Sequence, residues 1–139
     1  MTSLRNLSLA AAVSLCFTLP SPQQANAFEL AGAWATSADQ CGKVFTRKGR
    51  ANKVGFTNFS GVHGGGFIVE SDRLKGKSES CLVKSRNESA QTINLVVACA
   101  SGIMLSNVQF SLKLIEPGKL LRTFPGMQDV EINYYRCPI

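Results

Sequence analysis

From Asn107 to Leu114 the chain reads NVQFSLKL, with Val108, Phe110, Leu112 and Leu114 alternating with Asn107, Gln109, Ser111 and Lys113. A period of two puts alternate side chains on opposite faces of an extended strand, so this stretch buries one face of a sheet. Ile93, Leu95, Val97 and Cys99 repeat the pattern, as do Val130, Ile132 and Tyr134. Turn residues fall between such runs, at Lys48-Gly49, Ser60 to Gly66, Lys75-Gly76, Asn87 to Ala90, Ser101-Gly102 and Pro125-Gly126. Glu116-Pro117-Gly118-Lys119 has Pro second and Gly third, the order a type II turn requires. Apart from room for one helical turn over Thr36 to Gln40, no segment sustains a helical period. Short strands at this spacing predict an all-β antiparallel meander of eight to nine strands. An open meander leaves unpaired edges, so a small closed or nearly closed barrel is expected.

The first 27 residues read as an export signal. Arg5 is the basic start, Leu7 to Leu19 is an apolar run too short to span a bilayer, and Ala25-Asn26-Ala27 is an A-x-A cleavage site. A lipidated Cys16 is disfavoured because Leu15 is bulkier than the small residue such processing takes. No later run is apolar for long enough to form a transmembrane segment, so a soluble periplasmic or secreted product is expected. Cleavage takes 27 of 139 residues and leaves 112, read as one barrel domain over 28–139. Removing Arg5 lowers the 15 Lys and Arg to 14 against 9 Asp and Glu, a formal +5 that favours anionic partners.

Export also removes Cys16 and leaves Cys41, Cys81, Cys99 and Cys137, which in an oxidising compartment read as two disulfides. Spacings of 40, 18 and 38 residues are too wide for the close pairs of a structural zinc site. The preferred pairing is Cys81 with Cys99, across a hairpin turning near Asn87 to Ala90, and Cys41 with Cys137, tying the start of the domain to its end. Cys41 with Cys81 plus Cys99 with Cys137 stays open.

Gly32-Ala33-Trp34 begins the first strand and Arg136 ends the last. Those strands are neighbours in a closed barrel, so the indole can plug one end while the guanidinium stacks on its face. This G-x-W segment and closing arginine resemble those of lipocalins and related small barrels. Glu29 to Trp34 (ELAGAW), followed by Ser37 to Cys41 (SADQC), is similar to the alkaline metalloprotease inhibitors of bacteria. The resemblance implies an exported eight-stranded barrel. It also implies one disulfide starting at Cys41, which is what keeps the Cys41 to Cys81 pairing open. Members of that family inhibit through a flexible N-terminal trunk, whereas here only Phe28 and Glu29 would precede Leu30 after cleavage.

Catalysis finds little support. His63 is the only histidine, within Gly61 to Gly66, whose glycines suit a solvated hairpin tip. A phosphate-cradling loop would need a helix after it, and none is expected here. Glu70 and Asp72 sit two apart in a turn, and disulfide-bonded cysteines leave no thiol nucleophile. No catalytic residue, metal ligand or cofactor is therefore assigned. Basic residues are more suggestive: Lys43, Arg47, Lys48, Arg50 and Lys53 surround one predicted hairpin, and Arg73, Lys75 and Lys77 share one predicted strand face. They could meet phosphate or carboxylate groups. Nucleic acid is not expected, because Phe45, Phe56 and Phe59 read as core and not as stacking platforms. A cationic surface also speaks against lysozyme as a target. The resulting expectation is a monomeric, non-enzymatic binding module, with a protease-inhibitor-like role as what the resemblance implies. Its alternative is an envelope-associated protein binding anionic glycolipid or polysaccharide through its basic face.

Overall fold

The computed structural model describes residues 29–139, so the segment read as an export signal, and Phe28, lie outside it. Ten strands follow one another: β1 (Gly32–Ala35), β2 (Phe45–Lys48), β3 (Lys53–Phe56), β4 (Gly66–Val69), β5 (Arg73–Lys75), β6 (Ser80–Ser89), β7 (Thr92–Ser101), β8 (Met104–Glu116), β9 (Lys119–Phe124) and β10 (Met127–Cys137). β4 to β10 form an antiparallel meander, and β1 closes it by pairing with both ends. Trp34 lies opposite Phe67 of β4 on one side and opposite Arg136 of β10 on the other. The result is the expected small barrel, with eight strands. The remaining two, β2 and β3, form a separate hairpin between β1 and β4.

Alternation explains why there are two apolar cores. Trp34, Phe67, Val69, Leu74, Ile93, Leu95, Val97, Phe110, Leu112, Leu120 and Tyr134 fill the barrel. The intervening Ala33, Ala35 and Ile68 point outward, and Val44 and Phe45 cover them together with half-buried Val54 and Phe56. The hairpin stays outside the barrel because its apolar side chains are needed to cover this wall. A 3-10 turn (Ala38–Gln40) and a single helical turn α1 (Cys41–Val44) lead into it, close to the helical turn expected over Thr36 to Gln40. Ser37 and Gln40 both hydrogen-bond the Asp39 carboxylate there and hold its pKa below the ordinary carboxylate value.

Each core has its own staple. Cys81 and Cys99 face each other across the β6–β7 ladder inside the barrel, and Cys41 joins α1 to Cys137 of β10 in the outer core. The preferred pairing therefore holds, and the alternative with Cys41 on Cys81 does not. Gly118, at φ +79°, takes the third position of the turn expected after β8. The β6–β7 turn is a correction: it falls at Ala90-Gln91, because Asn87, Glu88 and Ser89 remain on the ladder opposite Asn94, Ile93 and Thr92.

One barrel end is shut by Trp34. Its indole is 1% exposed and donates to the Leu30 carbonyl at 2.9 Å, and the Arg136 guanidinium lies 4.7 Å over the ring. Arg136 also donates to the carbonyls of Ala31, at 2.8 Å, and Glu29. Gly32 makes this possible, since at φ +127° a Cβ there would sit 3.2 Å from the Arg136 Nη1.

Candidate functional site

The basic hairpin stands over the outer face of β1, β4 and β10. Between the two runs a cleft of about 590 Å³, bounded by Arg47, Asn52 and Lys53 on the hairpin and by Ile68, Glu70 and Arg136 on the barrel. Its floor is apolar because the outward residues of β1 and β4 are Ala33 and Ile68, while its rim is cationic. Arg47 donates to the Asn52 carbonyl at 2.8 Å, which holds the side chain across its own hairpin. Lys48 and Lys53 are directly opposite each other on the β2–β3 ladder. Like charges in that relation are destabilising, typically by a few tenths of a kcal/mol up to about 1 kcal/mol. Arg50 sits at the turn and Lys43 on α1, and all five hairpin cations are exposed.

The second basic group behaves differently. Arg73 and Lys75 are on the outer face of β5, flanking inward Leu74, but Lys77 has left the strand for the turn before β6, where its ammonium meets the Asn58 carbonyl. The three residues therefore do not share one strand face, because β5 ends at Lys75. Lys75 is neutralised by Glu70 at 2.7 Å, so Glu70, one of the two turn carboxylates, is an ion-pair partner at the cleft's edge. Arg73 approaches only the Ser80 hydroxyl, at 3.4 Å. Among the described residues, the three salt bridges engage Lys75, Arg86 and Lys119, and none reaches a hairpin cation.

Two other expectations need correction. Phe45 is buried and Phe56 half-buried, tilted on each other with centroids 5.1 Å apart, but Phe59 is 73% exposed in the connection after β3. His63 is not on a hairpin tip: Ser60–His63 is a 3-10 turn packed on its buried Ser60, with Gly64 at φ +88° ending it. Glu79 lies within reach of the Cys81 and Cys99 sulfurs, yet sulfurs in an S–S bond offer no thiolate to a metal.

Arg136 illustrates a division of labour that sequence reading blurs. It borders the cleft, but its donors already hold Glu29 and Ala31 and its face is on Trp34, so it acts as a clamp on the fold. The cleft as a whole has no local sequence pattern of its own, because it arises only when the hairpin folds back on the barrel wall. Outward apolar Ala33 and Ile68, on the wrong parity for the interior, were its signal in the sequence. Comparison of the chain with protein-family models, with curated proteins and with solved structures found no match.

Proposed function

We propose that the protein is an exported, non-catalytic binding module that takes an anionic partner group at the β2–β3 hairpin and the cleft behind it. The supporting observation is the charge left over there: five exposed cations, two of them paired like against like, with no carboxylate in ion-pair range among the described residues. An anionic partner relieves that repulsion and gains bidentate bonds from Arg47 and Arg50. Phosphate and carboxylate groups of envelope glycolipid or polysaccharide are the partner class that fits. Two disulfides, and no helix among the described residues long and apolar enough to cross a membrane, agree with export.

Replacing Arg47, Arg50 and Lys53 together by Glu is expected to weaken binding to immobilised lipopolysaccharide or polygalacturonate at least tenfold. Wild-type binding should itself fall steeply between about 0.05 and 0.5 M salt, where the Debye length shrinks from above 10 Å to a few Å. Titration of both proteins at the two salt concentrations is the measurement, and unchanged affinity for the triple variant would sink the proposal.

An inhibitor-like role is the second reading, favoured by the Gly32, Trp34 and Arg136 arrangement at the shut end. Its weak point is reach. Arg136 fastens the chain from Glu29 onward, and processing after Ala27 would leave Phe28 and Glu29 outside the barrel, at about 3.3 Å each. Weak or no inhibition of secreted zinc metalloproteases is therefore expected. Submicromolar inhibition lost on deleting Phe28 and Glu29 would contradict this. Inhibition that survives the deletion would point to the loop around Arg47 to Arg50.

A further inference from the structure

The barrel end opposite Trp34 is built differently. The β5–β6, β7–β8 and β9–β10 turns lie there, and the wall is incomplete: the β8–β9 ladder ends at Ser111 opposite Thr123, while β8 continues back to Met104 paired only with β7. The β9–β10 ladder is also broken, between Met127 and Glu131. Arg122 stands beside this gap. It lies opposite Leu112 of β8 and Ile132 of β10, whose side chains belong to the barrel core, so the parity of β9 turns Arg122 inward with Leu120.

Its guanidinium is held between two rings, 3.8 Å from the Phe110 centroid and 4.4 Å from that of Phe124. Its Nε is buried with no hydrogen-bond partner, and no carboxylate lies in ion-pair range among the described residues. The contrast is Arg86, which is also on the inner side of its ladder, opposite Leu95, and is paired with Glu88. A planar cation fixed by aromatic faces has lost its rotamer freedom in advance and keeps in-plane donors free for an oxyanion. On the face of β8 that Phe110 shares, Val108, Ser106 and Met104 follow one another away from it, with no charge among them. No charged residue lies between Glu88 and Lys113, and at the β7–β8 tip Ile103, Met104 and Leu105 are 102%, 73% and 84% exposed, with Met127 exposed on the facing hairpin.

We infer that this open end binds amphiphiles with an oxyanion head, the head taken by Arg122 between Phe110 and Phe124 and the apolar chain lying along the free side of β8 past Val108 toward Met104 and Ile103. The head is a carboxylate or a phosphate, both of which fit the guanidinium fork. The chain covers apolar surface otherwise left to water. This site is separate from the hairpin cleft and does not depend on the function proposed for it.

Calorimetric titration of the purified protein with dodecanoate, dodecyl phosphate, dodecanol and acetate, each kept below micelle formation, tests it. One saturable site is expected for dodecanoate, dodecyl phosphate or both, at least tenfold tighter than for dodecanol or acetate; whichever head binds better identifies the source. Arg122→Met keeps an unbranched apolar stem in place of the arginine's methylenes but removes the guanidinium, and should weaken that binding about tenfold or more, the value of a charge-assisted bond. Phe124→Leu, which leaves the arginine but removes one ring, should weaken it less. The triple hairpin variant should bind normally. No binding by either anion, equal binding of dodecanol, or affinity that follows the hairpin charges and ignores Arg122 would each overturn the assignment. If Arg122→Met does not fold, the head-group comparison on the wild-type protein decides alone.

Discussion

Replacing Trp34 by alanine should lower the unfolding free energy by about 3–5 kcal/mol, the range for truncating a large buried aromatic. Against a typical domain stability of about 5–15 kcal/mol, that removes much of what holds the fold. The indole is 1% exposed and three groups depend on it. Leu30 loses the donor to its carbonyl, Arg136 loses the face it stacks on, and the inner core loses its end plug. Trp34→Phe keeps a ring but not the N–H and should cost less, about 1–3 kcal/mol for the orphaned carbonyl plus the volume lost. Urea unfolding followed by far-ultraviolet circular dichroism measures both, since the fluorescent probe is itself removed. In the unmutated protein the emission should be short in wavelength and resist quenching by iodide. A Trp34→Ala variant of undiminished stability that had lost ligand binding would make the indole a recognition residue.

The same physics explains what could be read in the sequence. Strand parity is a local property, so β7, β8 and β10 announce themselves through Ile93 to Cys99, Val108 to Leu114 and Ile132 to Tyr134, and a meander of such strands has few ways to dispose of its edges; Val130, expected on the same buried face, is exposed because the β9–β10 ladder breaks there. The pairing of Cys81 with Cys99 follows from hairpin adjacency, and that of Cys41 with Cys137 from closure. What was not legible depends on long-range packing. The β2–β3 hairpin resembles two more barrel strands until β4 is seen to pair directly with β1, which puts Phe45 and Phe56 on the outside wall. Phe59 reads as core by residue type alone, yet it has no inward position once the chain enters the 3-10 turn at Ser60. Arg122 is the hardest of these residues to place from sequence. Counting in twos from Leu120 puts it on the inner face, but a charge at an inward position weakens the very alternation that would identify the strand.

The two binding surfaces also differ in how their cations are prepared. On the hairpin the charges are exposed and numerous, which favours steering and salt-sensitive recognition of extended polyanions. At the far end a single guanidinium is immobilised by Phe110 and Phe124, which suits one small head group. The shut end, where Arg136 spends its donors on Glu29 and Ala31, serves neither and holds the barrel closed.

Because each core has its own disulfide, removing them should give different failures. Cys41 and Cys137 are 96 residues apart, for which the chain-entropy relation gives about 4–5 kcal/mol; Cys81 and Cys99 are 18 apart, giving about 3 kcal/mol. The paired variant Cys41→Ala/Cys137→Ala should therefore be the less stable of the two in denaturant titration. The larger distinction is spatial. Cys41 anchors α1, and through it the hairpin, to β10, whereas the barrel interior is sealed without that bond. Losing it should let the outer layer open locally, so that amide exchange quickens across Phe45 to Phe56 while β6 to β8 stay protected. Losing Cys81–Cys99 instead empties volume from the interior, where the two residues are 0% and 2% exposed, and should speed exchange in β6 and β7 with the hairpin affected only through global unfolding. Uniform acceleration in both variants would mean that the two cores open as one unit. A hairpin that kept its protection without Cys41–Cys137 would show that Val44, Phe45 and Ile68 suffice to hold it on the wall, and the cleft behind it would then be shaped by packing alone.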